Sequence, residues 1–282
     1  MACRRSWPVS TAGAPPFRPV RAPARSEPHE ADGRRLRRRF RLRRTLQHLL
    51  SGAGGGRALA LDFGATTPVA LKKLGLDALD IDVVAVSHLH GDHFGGLPFL
   101  LLESQYVCQR RRPLRLVGPP GLERRLAALT DLMFAGAWRR EWRFPLEITE
   151  LQPDSGPLDC ADFSIESIEV IHPSGAPATG LRVRAGGRLL AFSGDTEWTD
   201  ALERVADGAD LLILECMGRG RGRYGVAPAH LDLETIEAKR WRLRAARILL
   251  THLGPTMLTR AAAAHARRRG YELARDGLVI EL

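Results

Sequence analysis

Apolar residues recur along this chain in two rhythms. Short runs rich in β-branched residues or leucine, closed off by Gly, Pro or Asp, fall at residues 58–62, 81–86, 114–117, 146–151, 163–171, 181–184, 189–192, 211–215 and 248–251, and these read as strands. Between them, helical spacing predicts helices over 67–74, 94–103, 201–205, 234–241 and 259–269. The break Gly118-Pro119-Pro120-Gly121 leads into a further helix ending near Phe134, and residues 138–144, with two tryptophans, read as a loop that packs. Strand pairs mixed with helices predict an α/β (α+β) domain in which helices cover two packed sheets. No internal repeat is visible.

The first 56 residues break this pattern. Pro, Ala and Arg dominate the first 30, and residues 34–44 are almost solid arginine, a composition that cannot bury enough apolar surface to order itself. A basic tail or, weakened by Glu27, Glu30 and Asp32, a transit peptide are two readings. A frameshift is the third and sharpest. The division expected is thus residues 1–56 as a disordered or frameshifted basic segment and residues 57–282 as the working domain.

Charge looks different once that segment is set aside. The chain's net charge is +10. Residues 1–44 carry 13 arginines against Glu27, Glu30 and Asp32, which already gives +10; the rest holds 29 basic (42 − 13) and 29 acidic (32 − 3) side chains. The body therefore shows no global basic field for nucleic acid, although basic runs remain at Arg110-Arg111-Arg112, over 219–223 and at Arg267-Arg268-Arg269, which read as solvated faces. Lys72, Lys73 and Lys239 are the lysines, so 39 of 42 basic residues (42 − 3) are arginine, the mark of a GC-rich coding sequence. Cys3, Cys108, Cys160 and Cys216 form no CxxC pair and fit a reducing cytoplasm, with Cys216 buried at a strand end. No apolar run reaches about 18 residues, so no membrane span is expected.

The chemistry is concentrated in Ser87-His88-Leu89-His90-Gly91-Asp92-His93-Phe94. Neutral imidazole and carboxylate are the usual ligands of zinc and neighbouring divalent ions. His88 and His90 are two apart and can converge on one ion, while Asp92 and His93 suit a second. Two ions about 3.5–4 Å apart can share a bridging hydroxide and clamp the attacking and leaving oxygens of a hydrolysed bond. The packet follows the strand Ile81-Asp82-Val83-Val84-Ala85-Val86, so it sits at a strand's C-terminal end, where open α/β sheets place their chemistry.

His88-Leu89-His90-Gly91-Asp92-His93 resembles the HxHxDH motif of the metallo-β-lactamase fold, and the chain from about Arg57 onward resembles its ribonuclease Z-like branch. The resemblance implies a four-layer αββα sandwich. It also implies a ligand set: His88, His90 and His172 on one ion; Asp92, His93 and His252 on the other; Asp195 bridging. His172, Asp195 and His252 each follow a strand-like apolar run. Two divalent ions are implied, zinc first, with manganese or iron as alternatives. His230 corresponds to a non-ligand histidine that assists the leaving oxygen or stabilises charge on phosphate; with Asp92 it is the expected catalytic residue. The family's ribonuclease members have His-Glu-Ala-Thr there and this chain has His230-Leu231-Asp232-Leu233, so Asp232 either orients His230 or caps the next helix. Asp62 in Asp62-Phe63-Gly64 is either a residue supporting the ligands or a turn residue. Relatives open with a strand, a Gly-Asp-Ala-Phe-Gly-like loop and a second strand. Plausible codons for residues 34–51, read one base out of frame, give a similar string, so a missing first hairpin is the expectation.

The function expected is a dinuclear metal-dependent hydrolase acting on a phosphodiester. Twenty-three positions separate His172 from Asp195 (195 − 172), little room for the tRNA-gripping arm ribonuclease Z carries there, so a small-molecule or short phosphodiester is favoured over tRNA. A nucleic acid partner is not supported by body charge; a homodimer is left open. The alternatives are a carbonyl-directed hydrolase (lactonase, thioesterase or lactamase type), favoured if His230 faces away from the metals, and a non-catalytic metal-binding relative. A redox di-iron role is disfavoured, because those relatives replace the second motif histidine with glutamate and this chain has His90.

Overall fold

The computed structural model describes residues 39–42, 49–51, 56–220 and 229–282, the first two segments as backbone only. Two seven-stranded sheets organise the unit Leu36–Leu282. The first is built from β1 (Arg39–Leu42), β2 (Leu49–Ser51), β3 (Ala58–Leu61), β4 (Val83–Ala85), β5 (Leu114–Gly118), β6 (Leu146–Glu150) and β14 (Leu278–Glu281), in the order β14-β1-β2-β3-β4-β5-β6. The second runs β13-β12-β11-β10-β9-β8-β7, from β7 (Leu158–Cys160), β8 (Phe163–Val170), β9 (Ala178–Ala185), β10 (Arg188–Phe192), β11 (Leu211–Glu215), β12 (Ile248–Thr251) and β13 (Glu272–Leu273). Strands β3 to β6 are parallel, as are β10 to β13; the remaining pairs are antiparallel.

Side-chain alternation explains the layering. In β3, Leu59 and Leu61 join Val83, Ala85, Phe163, Ile165, Val183, Leu190, Ile213 and Leu249 in a core between the sheets. Ala58 and Ala60 point the other way and, with Val84, Val86 and Leu116, pack under α1 (Thr67–Lys73), α2 (Gly91–Phe94), α3 (Leu97–Leu102) and α4 (Leu122–Met133). On the second sheet, Leu212, Leu214 and Leu250 pack under α5 (Ala201–Ala206), α6 (Leu233–Lys239) and α7 (Arg260–Arg268). Strands buried on both faces explain why their apolar runs are nearly continuous. The result is the four-layer αββα sandwich.

Three details differ from the sequence expectation. Strands β1 and β2 occupy the place of the hairpin expected to be missing: β1 pairs with β14 and β2, and β2 pairs with β3. Arg39-Phe40-Arg41-Leu42 alternates polar with apolar, the period of a strand, and the arginine content had hidden that pattern. Residues 1–38 lie outside the described residues, as does most of the 219–223 run. Strands β7 and β13 are too short or too polar to announce themselves, and β14, Leu278-Val279-Ile280-Glu281, has a strand's composition but is absent from the expected strands. Finally, Arg110 is not solvated: its side chain is fully buried and donates to the carbonyls of Ala78, Ile81, Arg112 and Pro113, which satisfies its fork without water.

Candidate metal centre

Every proposed ligand sits just past the C-terminal end of a strand. After β4 the chain runs extended through Ser87-His88-Leu89-His90, so His88 and His90 share one side while Leu89 turns into the core under the first sheet. The single-turn helix α2 then presents Asp92 and His93. His172 follows β8, Asp195 follows β10 across Ser193-Gly194, and His252 follows β12. Gly194 is required there: its φ is +59°, and a Cβ would lie 2.8 Å from the Thr179 carbonyl oxygen. Asp62 and His252 also hold left-handed backbone, at φ 58° and 51°, strain of a kind that collects at functional sites.

These side chains converge. His88, His90 and His172 bring one ligand atom each within 4.8 Å of one another, and so do Asp92, His93, Asp195 and His252. His172 Nε2 lies 3.1 Å from His90 Nδ1; His93 Nε2 and His252 Nδ1 lie 3.2 and 3.3 Å from the Asp195 carboxylate. Asp195 thus stands in the second group and also within a third, with His172 and His230.

The hydrogen-bond network assigns the tautomers. The Ser87 hydroxyl donates to Asp62 Oδ2 at 2.8 Å, so toward His88 Nδ1, 3.0 Å away, it can only accept. The proton of His88 is therefore on Nδ1. Its Nε2 is buried and meets no hydrogen-bond partner, a bare lone pair aimed into the cluster. His172 Nδ1 donates to the Ala229 carbonyl at 2.9 Å, and His93 Nδ1 donates to Asp62 Oδ2 at 2.6 Å, leaving both Nε2 atoms facing inward. An orphaned buried acceptor in a histidine–carboxylate cluster fits a divalent cation.

Electrostatics agree with that fit. Burial first, then the neighbouring His93, push His88 down to about 2, so it stays neutral and available as a ligand. Burial also lowers His172 and His252. Burial opposes charge on His93, but Asp62 and Asp195 flank it and hold it well above the ordinary imidazole value. Burial likewise opposes charge on Asp195, yet His93 and His252 hold its carboxyl well below the usual range. The space between these groups favours positive charge.

A family model described as Beta-lactamase superfamily domain matches residues 60–253. The chain belongs to that superfamily. Ribonuclease Z of Lachnoclostridium phytofermentans is 31% identical over 135 residues, 48% of this chain and 42% of that protein. The chain thus spans less than half the length of that curated relative. Among solved structures, the metallo-beta-lactamase fold protein YhfI from Bacillus subtilis superposes with a TM-score of 0.66 at 21% identity, over 87% of this chain and 100% of that one. Human tRNase Z, short form, superposes with a TM-score of 0.65 at 22% identity, over 86% and 98%. The likeness in both cases is one of fold.

Two further positions matter in this superfamily member. Asp62 orients two of the proposed ligands: it is fully buried and accepts from Ser87 N at 2.6 Å, from the Ser87 hydroxyl and from His93. Asp232 caps α6 through Thr235 N and Oγ1, at 2.9 and 2.8 Å, and does not orient His230. That task falls to Glu215, which the sequence reading overlooked. Its carboxylate oxygens lie 3.1 and 3.2 Å from His230 Nδ1, and one also accepts from Thr196 N. The available signal was a lone glutamate ending the apolar run Leu211-Leu212-Ile213-Leu214. Burial pushes Glu215 up to about 7, against its bonds to His230; burial opposes charge on His230 too, but Glu215, then Asp195 and Asp92, hold it above its ordinary value. His230 faces the cluster, its ring centroid 4.9 Å from that of His172 and 5.2 Å from that of His252. Trp138 and Trp142 pack against the first sheet's outer core.

Proposed function

We propose that this chain is a dinuclear metal-dependent hydrolase of phosphodiesters. His88, His90 and His172 would hold one divalent ion and Asp92, His93 and His252 the other, with Asp195 between them. Zinc suits this nitrogen-rich set best. Bound there, the ions would lower the pKa of water toward neutrality and stabilise charge gathering on phosphorus oxygens.

The observation that carries the phosphodiester reading is the inward-facing His230. Its Nδ1 is engaged by Glu215, so Nε2 remains to meet an oxygen of the substrate. With Glu215 holding the imidazole's charge, His230 can keep a proton at Nε2 and pass it to the departing oxygen. The carbonyl-directed alternative is favoured for a His230 turned away from the cluster, and here it faces the cluster. Ribonuclease Z and tRNase Z among the similar proteins point to the same bond.

A short phosphodiester is the favoured substrate. Strands β9 and β10 take up most of the interval between His172 and Asp195, inside the second sheet, so nothing there projects as an arm for a large RNA. Work in a reducing cytoplasm belongs to the same proposal and accords with free Cys108, Cys160 and Cys216. Among the described residues no helix is long and apolar enough to cross a membrane.

A substrate panel on zinc-loaded protein tests the proposal. Bis(p-nitrophenyl) phosphate, cyclic nucleotides, lactones, thioesters and a chromogenic β-lactam would be compared by kcat/KM. The expected result is turnover of phosphodiesters above the others; turnover confined to a lactone, thioester or lactam would replace this reading with carbonyl hydrolysis.

A further inference from the structure

Arg125, in the first turn of α4, joins the two loops that carry most of the cluster. Its Nη1 donates to the Ser174 carbonyl at 2.9 Å, two residues past His172. Its guanidinium carbon stands 5.8 Å from the ring centroid of Phe94, the residue after His93. On the His172 side it meets Gly175, whose added Cβ would lie 3.6 Å from Nη1. The side chain is half-buried, and among the described residues no carboxylate pairs with it.

An arginine with a single neutral acceptor keeps its charge and most of its donors available to an anion. Here the guanidinium has one neutral carbonyl for one of its five donors. The guanidinium carbon lies over the Phe94 ring, a cation–π contact. What remains is an unneutralised fork at the edge of the cluster, the group that recognises phosphate in two-pronged fashion.

We propose that Arg125 binds a second phosphate of the substrate, one adjoining the phosphodiester that is cleaved. The inference rests on the phosphodiester reading and narrows its substrate class to esters that carry a flanking phosphate, as a nucleotide with a phosphate on its other hydroxyl does. The guanidinium is tethered beside the His172 and His93 loops and not among the ligands, so it meets the neighbour of the reacting group. Hydrolysis itself is unaltered: water adds to phosphorus, and the bond to the leaving oxygen breaks.

The test uses the full chain loaded with zinc and two substrates, the p-nitrophenyl ester of thymidine 5′-phosphate with and without a 3′-phosphate. The wild type should favour the 3′-phosphorylated ester by about tenfold or more in kcat/KM, the scale of one charge-assisted contact. Arg125→Gln should erase that preference through a raised KM, with zinc per chain retained, and Arg125→Lys should keep part of it. Equal use of both esters by the wild type, or a preference surviving Arg125→Gln, would overturn the inference while leaving the phosphodiester reading intact. Loss of zinc in Arg125→Gln with equal loss on both esters would show a clamp for the His172 loop and no phosphate site. If the wild type cleaves neither ester, the phosphodiester reading itself fails, and this inference with it.

Discussion

Oδ2 of Asp62 lies 2.6 Å from Nδ1 of His93, and neither side chain reaches solvent. The same carboxylate takes the Ser87 hydroxyl that in turn faces His88. One buried acid therefore sets the ring orientation of two histidines assigned to different ions. Removing such an outer partner typically costs about 10–100-fold in metal affinity. Asp62→Ala should weaken zinc binding by that order, read by competition with a chromogenic chelator. Asp62→Asn, which keeps an acceptor for one neighbour, should lose less. Wild-type affinity in Asp62→Ala would mean that the histidines orient themselves.

Glu215 and His230 give a second expectation. Glu215→Gln should leave the zinc content intact and lower phosphodiester turnover, since the amide cannot hold an imidazolium. His230→Ala should cost more, on the order of 100-fold in kcat. Metal analysis beside steady-state kinetics separates the two effects. A His230→Ala protein with normal kcat would remove this histidine from the chemistry.

Stability away from the site is tested at Arg110. Its buried guanidinium donates to carbonyls of four residues. Arg110→Ala should destabilise by about 2–4 kcal/mol in urea unfolding, since it leaves the buried Ile81 carbonyl without this donor and empties the space of a fully buried side chain. Arg110→Lys should rescue little, because a point charge cannot reproduce the planar fork. A loss below about 0.5 kcal/mol, the range of surface changes, would show that water replaces the guanidinium freely.

Ion binding should also be visible as folding stability, because the cluster's geometry exists in the folded chain alone. At free zinc about 100 times Kd, the gain is about 2.7 kcal/mol, and the melting temperature should climb with zinc and fall with chelator. A melting temperature indifferent to zinc would argue against a site built from this fold.

What could be read in the sequence follows the range of the interactions involved. The packet His88 to His93 is local, so its spacing alone pointed to metal ligation, whereas His172, Asp195 and His252 were placed by the resemblance to the metallo-β-lactamase fold, with the apolar run before each as support. The strands buried on both faces were legible as continuous apolar runs. Glu215 was not legible, because a glutamate closing a strand looks like an ordinary boundary until β11 is set beside the His230 loop. Arg110 failed for the opposite reason: within Arg110-Arg111-Arg112 all three look equally solvated, and only the surrounding carbonyls single one out. Strand β13, two residues long, carries no pattern of its own and is defined by its pairing with β12.

The central claim is that seven side chains, in groups of three and four, hold two ions joined through Asp195. Counting metal per chain in purified wild type and in Asp195→Ala, by elemental analysis after zinc loading and desalting, tests it most directly. The account requires about two ions in the wild type and the loss of at least one when the shared carboxylate is removed. Full occupancy in Asp195→Ala, or a wild type that never exceeds one ion, would contradict it.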